Sequence, residues 1–217
     1  MKQIIIAFTL TIFSTLLVAE VPTNKHFTIS AKGFDFNGEG FIDAGDLAVL
    51  KNTQSFTVAA WIYPTTLSVP SSSTIISKTD TFVQLGGVFW TILPDGALFF
   101  ILMDVNGDRL TVQTAPGTIV ENAWQHVALV FDGAALTTNE KIKMYLDGGQ
   151  QTLSEVGTVV PLTTTPSLNV SVKVGAARDS GGNLNQFTGQ IPEVVLSENA
   201  LNRSKIRLLR DIRKPIF

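Results

Sequence analysis

The chain has 217 residues, 45% of them hydrophobic and 16% charged, which supplies a sizeable core and excludes a disordered chain. Sixteen Lys and Arg against 18 Asp and Glu give a formal net charge of −2, so there is no basic footprint for nucleic acid. With no cysteine and two histidines, disulfides, thiolate zinc centres, thiol nucleophiles and a histidine-rich metal site are excluded together.

Lys2 opens the chain, and an apolar run follows from Ile4 to Ala19, broken by Thr9, Thr11, Ser14 and Thr15. The run falls short of the ~20 residues that a membrane-spanning helix needs. It ends on Leu17-Val18-Ala19, a small residue before the polar Glu20. This pattern predicts a secretory signal over residues 1–19, cleaved after Ala19. The competing reading, an uncleaved anchor, is the one route by which the chain would meet a membrane. Residues 20–33 read as an N-terminal strand or linker and 34–217 as one domain. The expected location is secreted, periplasmic or extracellular, and export without cysteine suits a bacterial protein.

Beyond the signal, short β-branched and aromatic runs alternate with turn signals. Residues 55–63 form one run, stopped by Pro64; 74–77 form another. Residues 87–93 turn at Pro94-Asp95-Gly96 into 97–103. Asn106-Gly107 predicts a type I′ hairpin turn, which needs positive φ at both central positions, between residues 99–104 and 109–114. Residues 124–131 end at Asp132-Gly133, and 141–146 end at Asp147-Gly148-Gly149. Residues 170–174 and 187–196 complete the set. The stretches 67–73 and 162–169 read as loops inside the domain. No βαβ rhythm is present, so the prediction is an all-β, two-sheet antiparallel sandwich. Residues 124–131 are apolar on both faces: Val127, Leu129 and Phe131 on one, Trp124, Ala128 and Val130 on the other. Such a strand should be central, with further structure over its outer face. One helix is predicted near Leu201 to Arg210, capped by Asn199 or Asn202. Its Arg203, Lys205, Arg207 and Arg210, with Arg213 and Lys214, read as a solvated face and charged tail rather than a polyanion patch.

Several segments succeed one another in a familiar order: Phe36-Asn37-Gly38 with Phe41-Ile42-Asp43, then 55–64, 75–78, 123–128 with Phe131-Asp132-Gly133, 144–148, Val174-Gly175, 187–194 and Ala200-Leu201. This series resembles laminin G-like, concanavalin A-like jelly-roll domains. The resemblance implies a jelly-roll sandwich with a short C-terminal helix. It also implies a non-catalytic module that binds glycans or proteins. The family often holds a structural calcium through the early segment and an Asp in the last long strand. Here those positions are Asn37, Gly38 and Pro192, so calcium is doubtful and Glu193 is the substitute ligand. Asp104, Asn106 and Asp108 resemble a fragment of an oxygen-rich loop, yet Gly107 stands too early and no terminal Glu is present.

Trp61 and Trp124 read as core fillers and His126 as a hydrogen-bonded core histidine rather than a base. No paired carboxylates at strand spacing, no Gly-x-Ser-x-Gly and no phosphate loop occur, so a glycoside hydrolase-like enzyme is the weakest reading. A lectin-like site would need an exposed aromatic platform beside polar side chains. Phe89 and Trp90 are adjacent on one strand and face opposite sides, which makes Trp90 the candidate ligand-binding residue. The partner expected is a glycan or, alternatively, a cell-surface protein met by an adhesion module. Asn169-Val170-Ser171 and Asn202-Arg203-Ser204 carry the N-glycosylation pattern.

Overall fold

The computed structural model describes the backbone of residues 2–5 and residues 26–31, 35–38, 40–67, 72–79, 86–157, 160, 162–177 and 185–215. The strands are β1 (Lys2–Ile5), β2 (His26–Ser30), β3 (Phe36–Asn37), β4 (Gly40–Asp43), β5 (Ser55–Pro64), β6 (Ser73–Lys78), β7 (Gly87–Ile92), β8 (Leu98–Met103), β9 (Arg109–Gln113) and β10 (Gln125–Asp132). After a helical turn, α1 (Thr138–Lys141), come β11 (Ile142–Leu146), β12 (Gly149–Gln150), β13 (Ser154–Glu155), β14 (Lys173–Val174), β15 (Thr188–Gln190) and β16 (Glu193–Ser197). The last element is the helix α2 (Arg203–Ile212).

One sheet runs β1-β4-β14-β6-β7-β8-β9-β13. The other runs β12-β11-β10-β5, and the far edge of β5 pairs with β15 and β16, which in turn pair with β3 and β2. All these pairings are antiparallel except that of β1 with β4. The fold is therefore the expected all-β, two-sheet antiparallel jelly-roll sandwich of concanavalin A-like form, with a short C-terminal helix. Of the expected signal, residues 2–5 lie beside β4 and the rest falls outside the described residues.

The core arises from side-chain alternation along the strands. Phe56, Val58, Ala60 and Ile62 of β5 and Val127, Leu129 and Phe131 of β10 point inward from one sheet. Val88, Trp90 and Ile92 of β7, Leu98, Phe100 and Leu102 of β8 and Leu110 and Val112 of β9 meet them from the other. Phe56 packs tilted against Phe131 at 5.4 Å, and Phe36 packs edge-on against Phe187 at 6.0 Å.

The outer face of β10 is covered as its double-sided apolar pattern demands. Ala59, Ala128, Val130 and Tyr145 form a second cluster with Leu201 and with Ile206 of α2. Asn202 is the cap: its side chain accepts a hydrogen bond from the Lys205 N–H at 3.1 Å. The helix is tied to the sheet where the Trp61 indole N–H donates to the Arg210 carbonyl at 3.0 Å and the Thr57 hydroxyl donates to the Asn199 carbonyl at 2.6 Å. Its arginines are committed inward too. Arg203 Nε and Arg207 Nε donate to the Gly148 carbonyl, and Arg210 Nη1 donates to the Asp147 carbonyl at 2.7 Å.

Two turn details differ from the sequence reading. Asn106-Gly107 is not a type I′ turn, because only Gly107 has positive φ, +90°. The Gly107 N–H donates to the Asp104 carbonyl and the Asp104 N–H to the Asp108 carbonyl, which is a three-residue loop closed by a left-handed glycine. Leu93 to Ala97 repeats that pattern, with Gly96 at +80°. The turn with both central φ positive is Asp147-Gly148, at +49° and +74°, joining β11 to β12. The predicted strand over 187–196 is split by Ile191-Pro192. Ile191 and Val194 both enter the core, so Glu193 is thrown onto the outer face.

Candidate functional site

Trp90 is not a surface platform. It lies on the inward face of β7, 0% exposed, within the core between the sheets. The strand has apolar residues at both positions, and the Val88, Trp90 and Ile92 side is the one the opposing sheet covers. Phe89 points the other way but is 4% exposed.

The oxygen-bearing candidates do not converge. Asn37 pairs with Thr188 at the β3–β15 edge, and Gly38 comes next with φ +81°. Glu193 faces Arg213, both carboxylate oxygens lying 3.3 Å from Nη1. Pro192 brings no side-chain oxygen; its carbonyl accepts from the Ala31 N–H. Among the described residues no three acidic or histidine side chains group together. Of Asn37, Gly38 and Glu193, only Glu193 brings a carboxylate, and that carboxylate is paired with Arg213. The Asp104 carboxylate is consumed by its own turn, accepting from Asn106 N–H at 2.8 Å, Asp108 N–H at 2.9 Å and Asn106 Nδ2 at 2.9 Å. Partial burial pulls its pKa up, yet these donors together hold it below the ordinary carboxylate value.

His126 is buried, as expected, but its Nδ1 has no hydrogen-bond partner among the described residues. It packs edge-on against Trp61 at 5.6 Å beneath α2. Burial, reinforced by the Arg210 charge, lowers its pKa to about 4, so it stays neutral at physiological pH. Trp124 is half-buried and stacks obliquely on Tyr63 at 5.3 Å.

The face with recognition chemistry is the outer side of β7, β8 and β9. Strand β8 is apolar on both sides, and Phe99 and Ile101 point outward, half-buried. In register, Thr91, Phe99 and Gln113 form one row across the three strands, and Phe89, Ile101 and Thr111 form the next. Arg109 stands exposed at the end, opposite Met103. Thr91, Phe89 and Thr111 are buried in these rows, so what reaches the surface is an apolar strip with an aromatic ring beside amide and guanidinium groups, with neighbouring strands ~4.8 Å apart. The Thr91 hydroxyl and that of its cross-strand neighbour Thr74 are buried with no hydrogen-bond partner among the described residues. Sequence reasoning missed Phe99 because Leu98-Phe99-Phe100-Ile101-Leu102-Met103 has no polar alternation to say which side faces out. The signal that finds it is on β9, where Arg109, Thr111 and Gln113 alternate with the core residues Leu110 and Val112.

Several carboxylates are committed elsewhere. Asp46 accepts from Lys51 Nζ at 3.1 Å and from Lys78, Asp211 pairs with Arg210 at 2.8 Å, and Glu140 accepts from Thr137.

Comparison with known proteins agrees with this architecture. The family model Laminin_G_3, of the concanavalin A-like lectin/glucanases superfamily, matches residues 36–207. The chain belongs to this superfamily. No curated protein sequence matches it at a significant level. Among solved structures, the fold is similar to the NanB sialidase from Streptococcus pneumoniae, with TM-score 0.63 and 15% identity over 84% of this chain. That match spans 27% of the sialidase, so this superfamily member corresponds to about a quarter of that enzyme. It is also similar to the Ruminococcus gnavus IT-sialidase CBM40 bound to α2,3-sialyllactose, with TM-score 0.61 and 16% identity, covering 83% of this chain and 97% of that one. A third likeness is to the binding domain of botulinum neurotoxin serotype G, with TM-score 0.55, 16% identity and coverage of 87% and 42%. At these identities the likeness establishes the fold.

Proposed function

We propose that this protein is an exported, non-catalytic carbohydrate-binding module whose glycan lies on the outer face of β7–β9. The observation that carries the reading is the half-buried Phe99–Ile101 strip with the half-buried Gln113 and the exposed Arg109 beside it, Thr91 and Thr111 being buried in the same rows. A pyranose presents apolar C–H faces and a rim of hydroxyls, and this strip offers an aromatic surface beside donors and acceptors. The sialyllactose-bound module of similar fold supports a glycan as the kind of partner. Arg109 is exposed and supplies positive charge for an acidic sugar. Non-catalytic action is supported by the commitment of Asp46, Glu140, Glu193 and Asp211 to cations or to a helix cap rather than to one another. Among the described residues no helix is long and apolar enough to cross a membrane.

A glycan array probed with the wild-type protein and with Phe99→Ala and Arg109→Ala tests this. Wild type should retain a defined glycan set, and each variant should bind about tenfold more weakly, the equivalent of one lost stacking or charge-assisted contact. A blank array for the wild type would overturn the glycan reading in favour of a protein-binding adhesion module. Unchanged binding by both variants would remove this face.

A further inference from the structure

The β11–β12 edge of the second sheet carries a small cleft away from the β7–β9 face. Its volume is about 270 Å³, and it is lined by Asn139, Ile142, Gln150, Gln151, Thr152 and Leu153. That lies just below the ~300–1,000 Å³ of typical small-molecule pockets, room for one ring rather than a chain of sugars.

Both walls are held by local structure. Asn139 sits on α1, whose start is fixed by a reciprocal cap. Glu140 accepts from the Thr137 N–H at 3.1 Å and from the Thr137 hydroxyl at 2.9 Å. Gln150 and Gln151 come after the Asp147-Gly148 turn, and the Gln151 N–H donates to the Met144 carbonyl at 2.9 Å. Three carboxamides and a hydroxyl therefore line one space. The side chains of Asn139, Gln150 and Thr152 make no hydrogen bond among the described residues. The Gln151 amide donates to the Gly149 carbonyl at 3.0 Å.

The charge pattern selects the ligand class. No charged residue lines the cleft. Its charged neighbours lie outside the lining: Glu140 accepts from Thr137 and lies near Lys143, and the buried Lys141 ammonium donates to the Gly133 carbonyl at 2.5 Å. An ionic ligand would find no counter-charge in the cleft wall itself. Carboxamides donate and accept at once, which suits hydroxyls that do the same, and Leu153 and Ile142 offer an apolar wall to ring C–H groups. We propose that this cleft is a second subsite, specific for a single neutral pyranose. The proposal rests on the cleft's own side chains and stands whether or not the β7–β9 face binds a glycan.

The test is a titration of the isotopically labelled full chain, followed by the side-chain NH2 resonances of Asn139, Gln150 and Gln151. The probes are methyl β-D-galactopyranoside, methyl β-D-glucopyranoside and methyl N-acetyl-β-D-glucosaminide, added singly, with sodium N-acetylneuraminate as the charged comparator. At least one neutral glycoside should shift these resonances saturably in the millimolar range. Combining Asn139→Ala with Gln150→Ala should weaken that binding about tenfold or more, as the loss of two hydrogen bonds requires. Phe99→Ala should leave it unchanged, which separates this cleft from the β7–β9 face. The proposal is overturned if no neutral glycoside moves the amides, if the double variant binds as well as wild type, or if N-acetylneuraminate binds as tightly as the neutral probes.

Discussion

Acidification should loosen this protein through His126, and the size of the effect is set by its burial. The imidazole is 1% exposed beneath α2, with Nδ1 unpartnered among the described residues and Trp61 packed against its ring. Its pKa falls from 6.5 to about 4, because burial and the Arg210 charge both disfavour the cation. A native pKa below the unfolded one means that the unfolded chain binds the extra proton first. The contribution to stability is therefore complete above about pH 6.5 and is lost as pH falls toward 4. The full loss is about 3 kcal/mol, of which about 2 kcal/mol is gone by pH 5. With an m-value of ~2 kcal/mol/M, the urea midpoint should fall by roughly 1 M between pH 7.5 and pH 5. The three tryptophans supply the fluorescence readout. Carboxylates and His26, whose pKa is also lowered by burial, add their own slope, so the decisive comparison is with His126→Phe. That variant keeps an aromatic ring against Trp61 and carries no proton. It should lose about 1 M less of its midpoint over the same interval. An identical fall in the two proteins would refute the reasoning.

Trp90→Ala should cost about 3–5 kcal/mol, because it empties a fully buried ring's space in the core, whereas Phe99→Ala, at a half-buried ring on the outer face, should cost less. Paired thermal unfolding measurements check this, and equal losses would contradict the assigned faces. Expression with export should yield a mature chain beginning at Glu20, read by N-terminal sequencing. A chain still beginning with Met1-Lys2 would overturn the cleaved-signal reading.

Legibility in the sequence varies from element to element. The 55–64 and 125–132 strands announce themselves through composition and turn residues, and they pair along eight positions in the centre of the second sheet. The prediction that strand 124–131 needs a cover is sound because apolar residues on both faces cannot both meet water, and α2 supplies that cover through Leu201 and Ile206. Asn202 as a cap is likewise readable from its place before the helix. The site is less legible. Trp90 as a platform rests on a correct premise, that neighbours on a strand face opposite ways, but the premise does not say which of two apolar neighbours faces in. Glu193 is unreadable for a related reason, since one irregular residue at Pro192 changes the face of every later residue in the strand.

Residue order alone thus determined the sandwich class, where the glycine and aspartate turns fall though not the type of the Asn106-Gly107 turn, and the amphipathic C-terminal helix, because these depend on local period and backbone freedom. Tertiary structure alone decided that Trp90 is interior, that Phe99 and Ile101 look outward beside Arg109 and Gln113, and that four polar side chains and two apolar ones close a neutral cleft beside α1. Those outcomes depend on which face of each strand the opposing sheet covers, and that is settled by packing between segments far apart in the chain.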